Sequence, residues 1–182
     1  KSLLITSAKQ GEGKTTVTSY LAKTLVDLGF KVLLIDADMR RPNIHKFFEI
    51  DNMVGLSNLI TEPKVNLDEI IQSKESNLDI LTSGIKPPDP IYLLSSNRMK
   101  TIHENFLSLN YDYVIYDAPP SYGLADAKVL SQIINKILFV VSMNDVNKDS
   151  SKEAIRFLAS ETGDISIISN DLKGINKFNN FY

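Results

Sequence analysis

Nine residues, Ala8-Lys9-Gln10-Gly11-Glu12-Gly13-Lys14-Thr15-Thr16, have the types and the spacing to hold phosphate. They lie between an apolar run, Ser2–Thr6, and an amphipathic stretch. Glycines at such a turn let successive backbone N–H groups converge on phosphate oxygens. The start of the following helix adds partial positive charge. In this arrangement Gly11, Glu12 and Gly13 form the loop and Lys14 reaches the β- and γ-phosphates. The Thr15 hydroxyl sits on Mg²⁺, and Thr16 touches the α-phosphate. Ala8 stands where such loops usually carry their first glycine, a small change. The competing reading is a glycine turn into a helix with an exposed lysine; strand, loop and helix in that order argue against it.

Two further groups of acids follow apolar runs. In Val32-Leu33-Leu34-Ile35-Asp36-Ala37-Asp38-Met39-Arg40 the carboxylates are two residues apart and project to the same side of a strand. One of them can hold Mg²⁺ while the other accepts a proton from an attacking hydroxyl. Either alone can also cap a turn. In Tyr113-Val114-Ile115-Tyr116-Asp117-Ala118-Pro119-Pro120 an apolar strand ends in an acid of the kind that serves Mg²⁺ in nucleotide hydrolases. A strand-end turn is the bland alternative there. Asn170, after the last apolar run, is a candidate reader of the adenine base through its amide, or a turn residue. Asn147-Lys148-Asp149 misses the guanine-reading NKxD spacing by one residue, so ATP is expected over GTP.

Positioning these groups requires strands that end at one edge. Ser2–Thr6, Lys31–Ile35, Leu78–Leu81, Tyr113–Tyr116, Ile137–Val141 and Ile165–Ile168 are short, rich in Ile, Val and Leu, and not alternating. That pattern suits a parallel sheet covered on both faces. Val17, Leu21, Leu25 and Leu28 fall on one helical face, with Gly29 as a stop. Further helices are expected over roughly 90–107, over 125–134, and after Asp149-Ser150-Ser151. In the last, Ala154, Ile155, Leu158 and Ala159 face inward. The alternation predicts an α/β fold: a doubly wound, mostly parallel sheet with helices on both faces. Residues 51–76 read as a polar excursion with weak helical signal at Leu56–Ile60 and Leu67–Ile71. Residues 171–182 read as a mobile tail on a single domain spanning 1–182.

The bulk properties narrow the function. The chain has 182 residues, with 20 Lys and Arg against 22 Asp and Glu, a net charge of −2. That length suits one core, and that balance does not suit a nucleic-acid coat. The absence of Cys excludes disulfides, thiolate metal sites and a cysteine nucleophile. The longest apolar run, Ile137–Val141, is far short of the ~20 residues that span a bilayer. With no signal peptide evident, a soluble, cytoplasmic protein is expected. His45 and His103 lack partners at ligand spacing and read as structural.

The phosphate loop, the IDADMR element and the YDAPP element, in that order, resemble the bacterial tyrosine kinases of capsule and exopolysaccharide synthesis. These are P-loop ATPases related to partition-type ATPases. Arg41-Pro42, Gly55-Leu56-Ser57, Leu81-Thr82-Ser83-Gly84 and Pro87-Pro88-Asp89-Pro90 look like the same family, so the resemblance runs from Leu3 to about Asn170. It implies an ATP- and Mg²⁺-dependent autokinase acting on tyrosines. Carried over by position, Lys14 binds phosphates, and Thr15, Asp38 and Asp117 serve the metal. Asp36 becomes the base for the tyrosine hydroxyl. Arg40 stabilises charge or serves an interface. The family's tail carries a cluster of tyrosines phosphorylated by neighbouring subunits; Tyr182 is the candidate acceptor here. The resemblance also implies a homo-oligomer. It implies as well a membrane-embedded polysaccharide co-polymerase, whose cytoplasmic tail activates the kinase and recruits it to the membrane.

Two other functions compete with that one. Lys9 occupies the place of the signature lysine of partition- and septum-type switch ATPases, which dimerise on ATP without making phosphotyrosine. A non-catalytic nucleotide sensor is the third, disfavoured by the intact motifs. Where relatives commonly carry Pro-x-Glu-Leu, this chain has Pro90-Ile91-Tyr92-Leu93.

Overall fold

A computed structural model describes residues 1–134, 136–143, 148–160 and 164–170. The chain runs β1 (Ser2–Ser7), α1 (Lys14–Asp27), β2 (Val32–Asp36), α2 (Ile44–Phe48), α3 (Leu56–Thr61), α4 (Leu67–Ile70), β3 (Gln72–Glu75) and β4 (Leu78–Leu81). It continues through α5 (Pro90–Leu94), α6 (Asn97–Ser108), β5 (Tyr113–Asp117), α7 (Asp126–Ser131), β6 (Lys136–Ser142), α8 (Lys148–Ala159) and β7 (Asp164–Asn170). The strands form one seven-stranded sheet in the order β3-β4-β2-β5-β1-β6-β7. All neighbours are parallel except β3 and β4. The expected doubly wound α/β architecture is therefore present.

Side-chain alternation along the strands divides the core into two layers. Leu4, Leu33, Ile35, Val114, Tyr116 and Phe139 pack with residues of α3, α5, α6, α7 and α8. Ile5, Leu34, Ile80, Ile115 and Val140 face the other way, toward α1 and α2. Strands buried on both faces have no polar side to display, which explains their unbroken apolar sequences. His103 sits in the first layer with Nδ1 2.8 Å from the Tyr116 hydroxyl. Burial lowers the His103 pKa and raises that of Tyr116 well above the ordinary value.

Five expectations change, the first at β7: its run Ile165–Ile168 was expected to be buried, but as the edge strand next to β6 alone it lies largely exposed, with Ile167 62% accessible. Residues 72–75 form an antiparallel edge strand inside the stretch read as an excursion. The single helix expected over 90–107 is two, because the Ser96 side chain accepts the Met99 N–H and caps a fresh start at Asn97. On α1 the buried positions are Lys14, Thr18, Ser19 and Ala22, while Leu28 is exposed. Leu28 lies past the last helical turn, where Gly29 (φ +90°) closes the helix. There Phe30 N–H bonds to Leu25 O and Gly29 N–H to Val26 O, satisfying end carbonyls. On α8, Ala154 and Leu158 are buried as expected, but Ala159 is exposed at the final turn. The tail 171–182, with its acceptor candidate Tyr182, lies outside the described residues.

Candidate active site

The carboxyl ends of β1, β2 and β5 lie side by side, and their loops surround a cavity of about 810 Å³. Crevices at this edge of a parallel sheet are where ligands bind. Strand register places Asp36 directly beside Asp117, and Asp117 beside Ile5. The loop after β5 is stitched to β1: Ala118 N–H bonds to Ile5 O, Ser121 N–H to Ser7 O, and Thr6 Oγ1 to Pro119 O. The acid of one strand is thus held at a constant distance from the phosphate loop of another.

The loop itself needs left-handed backbone at Gly11 (φ +86°) and Gly13 (φ +80°). Glu12 turns inward, and its Oε2 accepts the Lys9 N–H at 2.6 Å. The Asn170 amide donates to Glu12 O at 3.0 Å, so the residue expected to read a base is engaged with the loop backbone. A methyl group on Gly13 would sit 2.0 Å from Asn170 Nδ2 and 3.3 Å from its Cγ. Gly13→Ala should therefore cost about 1–3 kcal/mol of stability from the strained backbone. It should also weaken nucleotide binding at least tenfold, as read by thermal melting and by titration with a fluorescent nucleotide. Unchanged binding would mean that this contact does not shape the loop.

Lys14 is buried among acids. Its Nζ lies 2.9 Å from Asp117 Oδ1 and 3.9 Å from Asp38 Oδ2. Thr15 Oγ1 donates to Asp117 Oδ2 at 2.7 Å, and Thr18 Oγ1 to Asp117 Oδ1 at 3.0 Å. The structure thus brings together Lys14, Thr15, Asp38 and Asp117, and adds Thr18. Only tertiary contact reveals Thr18, since a threonine one helical turn beyond Lys14 carries no motif of its own. Thr16 and Asp38 line the cavity, as does Lys9. Burial raises the Asp38 pKa, with Lys14 opposing the rise.

Asp36 lies behind this first row. Its Oδ1 accepts the Asp38 N–H at 3.1 Å, and its Oδ2 accepts those of Asn43 (3.1 Å) and Ile44 (3.0 Å). It thereby ties residues 37–44 to the end of β2. Burial, followed by the neighbouring Asp117, raises its carboxyl from 3.8 to about 8, against the backbone donors and Lys14. Arg40 lines the cavity and is paired with Asp126 at 2.9 Å. Arg41 bonds through Nη1 to Gln10, joining the loop after β2 to the phosphate loop.

The donor set fits a hard divalent cation. Asp38, Asp117 and Thr15 offer oxygen only, and Mg²⁺ favours one or two carboxylates completed by phosphate oxygens and water. Among the described residues no group of three or more His, Cys, Asp or Glu could hold a metal unaided.

The family described as AAA domain matches residues 1–161. The putative tyrosine-protein kinase CapB of Staphylococcus aureus is 37% identical over 165 residues, covering 91% of this chain and 72% of the relative. The tyrosine-protein kinase YwqD of Bacillus subtilis (strain 168) is 41% identical over 160 residues, covering 87% and 67%. The solved kinase domain of the Escherichia coli tyrosine kinase ETK superposes with a TM-score of 0.87 at 33% identity. It covers 93% of this chain and 67% of that one.

Proposed function

From the premise that this chain belongs to the AAA-domain family and to the bacterial tyrosine-protein kinases, we propose that its cavity binds ATP with Mg²⁺ and transfers the γ-phosphoryl group to tyrosine. The observation that carries this reading is Lys14, buried between Asp117 and Asp38 at the phosphate loop. Phosphoryl transfer asks little covalent chemistry of a protein and much positioning and charge stabilisation. The loop N–H groups and Lys14 take the phosphates. Asp38, Asp117 and Thr15 would hold the metal, which when bound supplies positive charge against the phosphate oxygens.

The bond from the γ-phosphorus to the ADP oxygen breaks, a bond to the tyrosine oxygen forms, and the hydroxyl proton leaves to a base. Asp36 is assigned that role. Burial, followed by the neighbouring Asp117, raises its proton affinity above that of an ordinary carboxylate, the direction a general base needs. Its distance behind the cavity lining requires the bound tyrosine or a water to bridge to it. Asn170 contributes to the nucleotide side by bracing the loop at Glu12. Tyr182 remains the acceptor candidate in the tail.

In this reading the kinase works as a homo-oligomer in capsular or exopolysaccharide synthesis. A membrane-embedded co-polymerase activates it through a cytoplasmic tail and recruits it to the membrane. Among the described residues no helix is long and apolar enough to cross a membrane. Nucleic acid is not a partner in this reading; the −2 net charge supports that.

Incubation with labelled ATP and Mg²⁺, followed by phosphotyrosine mapping by mass spectrometry, tests the proposal. Label on tyrosine that disappears with a chelator is expected. Absence of tyrosine label, even with an activator tail and an added tyrosine peptide, would sink it.

A further inference from the structure

Asp126 opens α7 and is fully buried. Its Oδ1 accepts the Arg40 Nε–H at 2.9 Å, and its Oδ2 is buried without a partner. Arg40 comes 86 residues earlier, in the loop after β2, and lines the phosphate cavity with its side chain one-third exposed. A buried carboxylate is tolerated only when a cation answers it, so each of these two residues needs the other. An arginine has five N–H donors in a rigid fork. Among the described residues the Arg40 side chain commits only Nε to a protein acceptor. Both terminal amino groups remain to meet an anion. Held at Nε, a long and otherwise wandering side chain has its guanidinium fixed at the cavity wall, which is the arrangement that strengthens a charge-stabilising contact.

We propose that Asp126 is the positioning residue for Arg40, holding its guanidinium where the terminal amino groups meet the phosphoryl group in transfer. The inference rests on the kinase reading and assigns Arg40 to charge stabilisation in place of an interface. Lysine at position 40 would keep the charge but has no Nε, so it could not be held and also present two donor groups.

The test reads binding separately from turnover. A fluorescent ADP is titrated with Mg²⁺ into the full chain, with and without aluminium fluoride, whose planar fluoroaluminate imitates the transferring phosphoryl group. The wild type is expected to bind ADP more tightly with fluoride. Asp126→Asn should keep its ADP affinity within about twofold and lose roughly tenfold or more of the fluoride-dependent tightening. Arg40→Lys should do the same, and the double variant should be no worse than Arg40→Lys alone. Intact tightening in Asp126→Asn, additive losses, or no tightening in the wild type would overturn the proposal. Should Asp126→Asn fail to fold, Arg40→Lys decides alone, and retained tightening there overturns it. Tightening without any phosphotyrosine would leave Asp126 and Arg40 in these roles and remove the kinase reading.

Discussion

Lys14→Met should cut tyrosine phosphorylation at least a hundredfold and also destabilise the ligand-free protein in a pH-dependent way. The first effect follows from removing a preorganised cation from the γ-phosphate, which costs about 10²–10³ in rate for comparable donors. The second follows from its neighbours. Lys14 lies within 2.9 Å of Asp117 and 3.9 Å of Asp38, all three side chains being nearly inaccessible. Breaking a buried pair by deleting one partner costs about 3–5 kcal/mol. Without the ammonium, the carboxyls of Asp36 and Asp38, already raised by burial, rise further. A carboxyl raised above its unfolded value gives stability that is full at low pH and is lost as pH rises through the folded pKa. The melting-temperature gap between wild type and variant should therefore be small near pH 4 and wide at pH 8. A gap of equal size at both would show that Lys14 is not the counter-charge. Phosphotyrosine at the wild-type level would show that it is not a phosphate ligand.

Asp36→Asn should produce the second large effect. In the ligand-free wild type, Asp36 titrates near 8 against an unfolded value of 3.8. Its contribution is complete below about pH 4 and is gone above about pH 8, so stability declines through that window. Asparagine removes this part of the slope. It also has one oxygen where the carboxyl uses two, Oδ1 for Asp38 N–H and Oδ2 for Asn43 and Ile44. Whichever way the amide turns, at least one buried donor is orphaned, at about 1–3 kcal/mol each. If Asp36 takes the tyrosine proton, the rate should also fall about 10²–10⁴-fold with nucleotide affinity held within a few-fold. Melting curves across pH 4–9 and steady-state kinetics separate the two roles. A flattened stability profile with an unchanged rate would leave Asp36 as the anchor of residues 37–44 alone.

What could be read ahead of the structure depended on whether the signal was local. The phosphate loop is a contiguous string whose chemistry needs its residues in order, so Lys14 and Thr15 were legible, as were six strands, five of them buried as expected and the sixth, β7, exposed at the sheet edge. β3 was not, because Gln72-Ser73-Lys74-Glu75 is polar and largely exposed at an edge, where pairing is made by the backbone. The break between α5 and α6 depends on one serine hydroxyl, against a background of residues that suit a continuous helix. Asp126 was invisible for another reason. Its meaning is Arg40, 86 residues away, and an aspartate at a helix start ordinarily signals nothing more than a favourable first turn. Spacing assigned Asp36 and Asp38 to one site, and only the family resemblance gave them different roles, Asp38 to the metal and Asp36 to the base. The fold adds depth: Asp38 lines the cavity, while Asp36 lies fully buried behind it.

The strand order has a consequence for the making of the protein. β1 lies between β5 and β6, so neither of its neighbours exists until about a hundred residues beyond β1 have been added. The phosphate loop emerges early, but Asp117, which answers Lys14, follows 103 residues later. At about 5–20 residues per second, that interval lasts roughly 5–20 s. Through it the nascent chain carries a glycine turn and an unmatched lysine beside an apolar strand with no place in a sheet. Nucleotide therefore cannot serve as an early template for folding this chain. The site closes only when β5 inserts between β1 and β2, so competence to bind and the joining of those two strands arrive in one event.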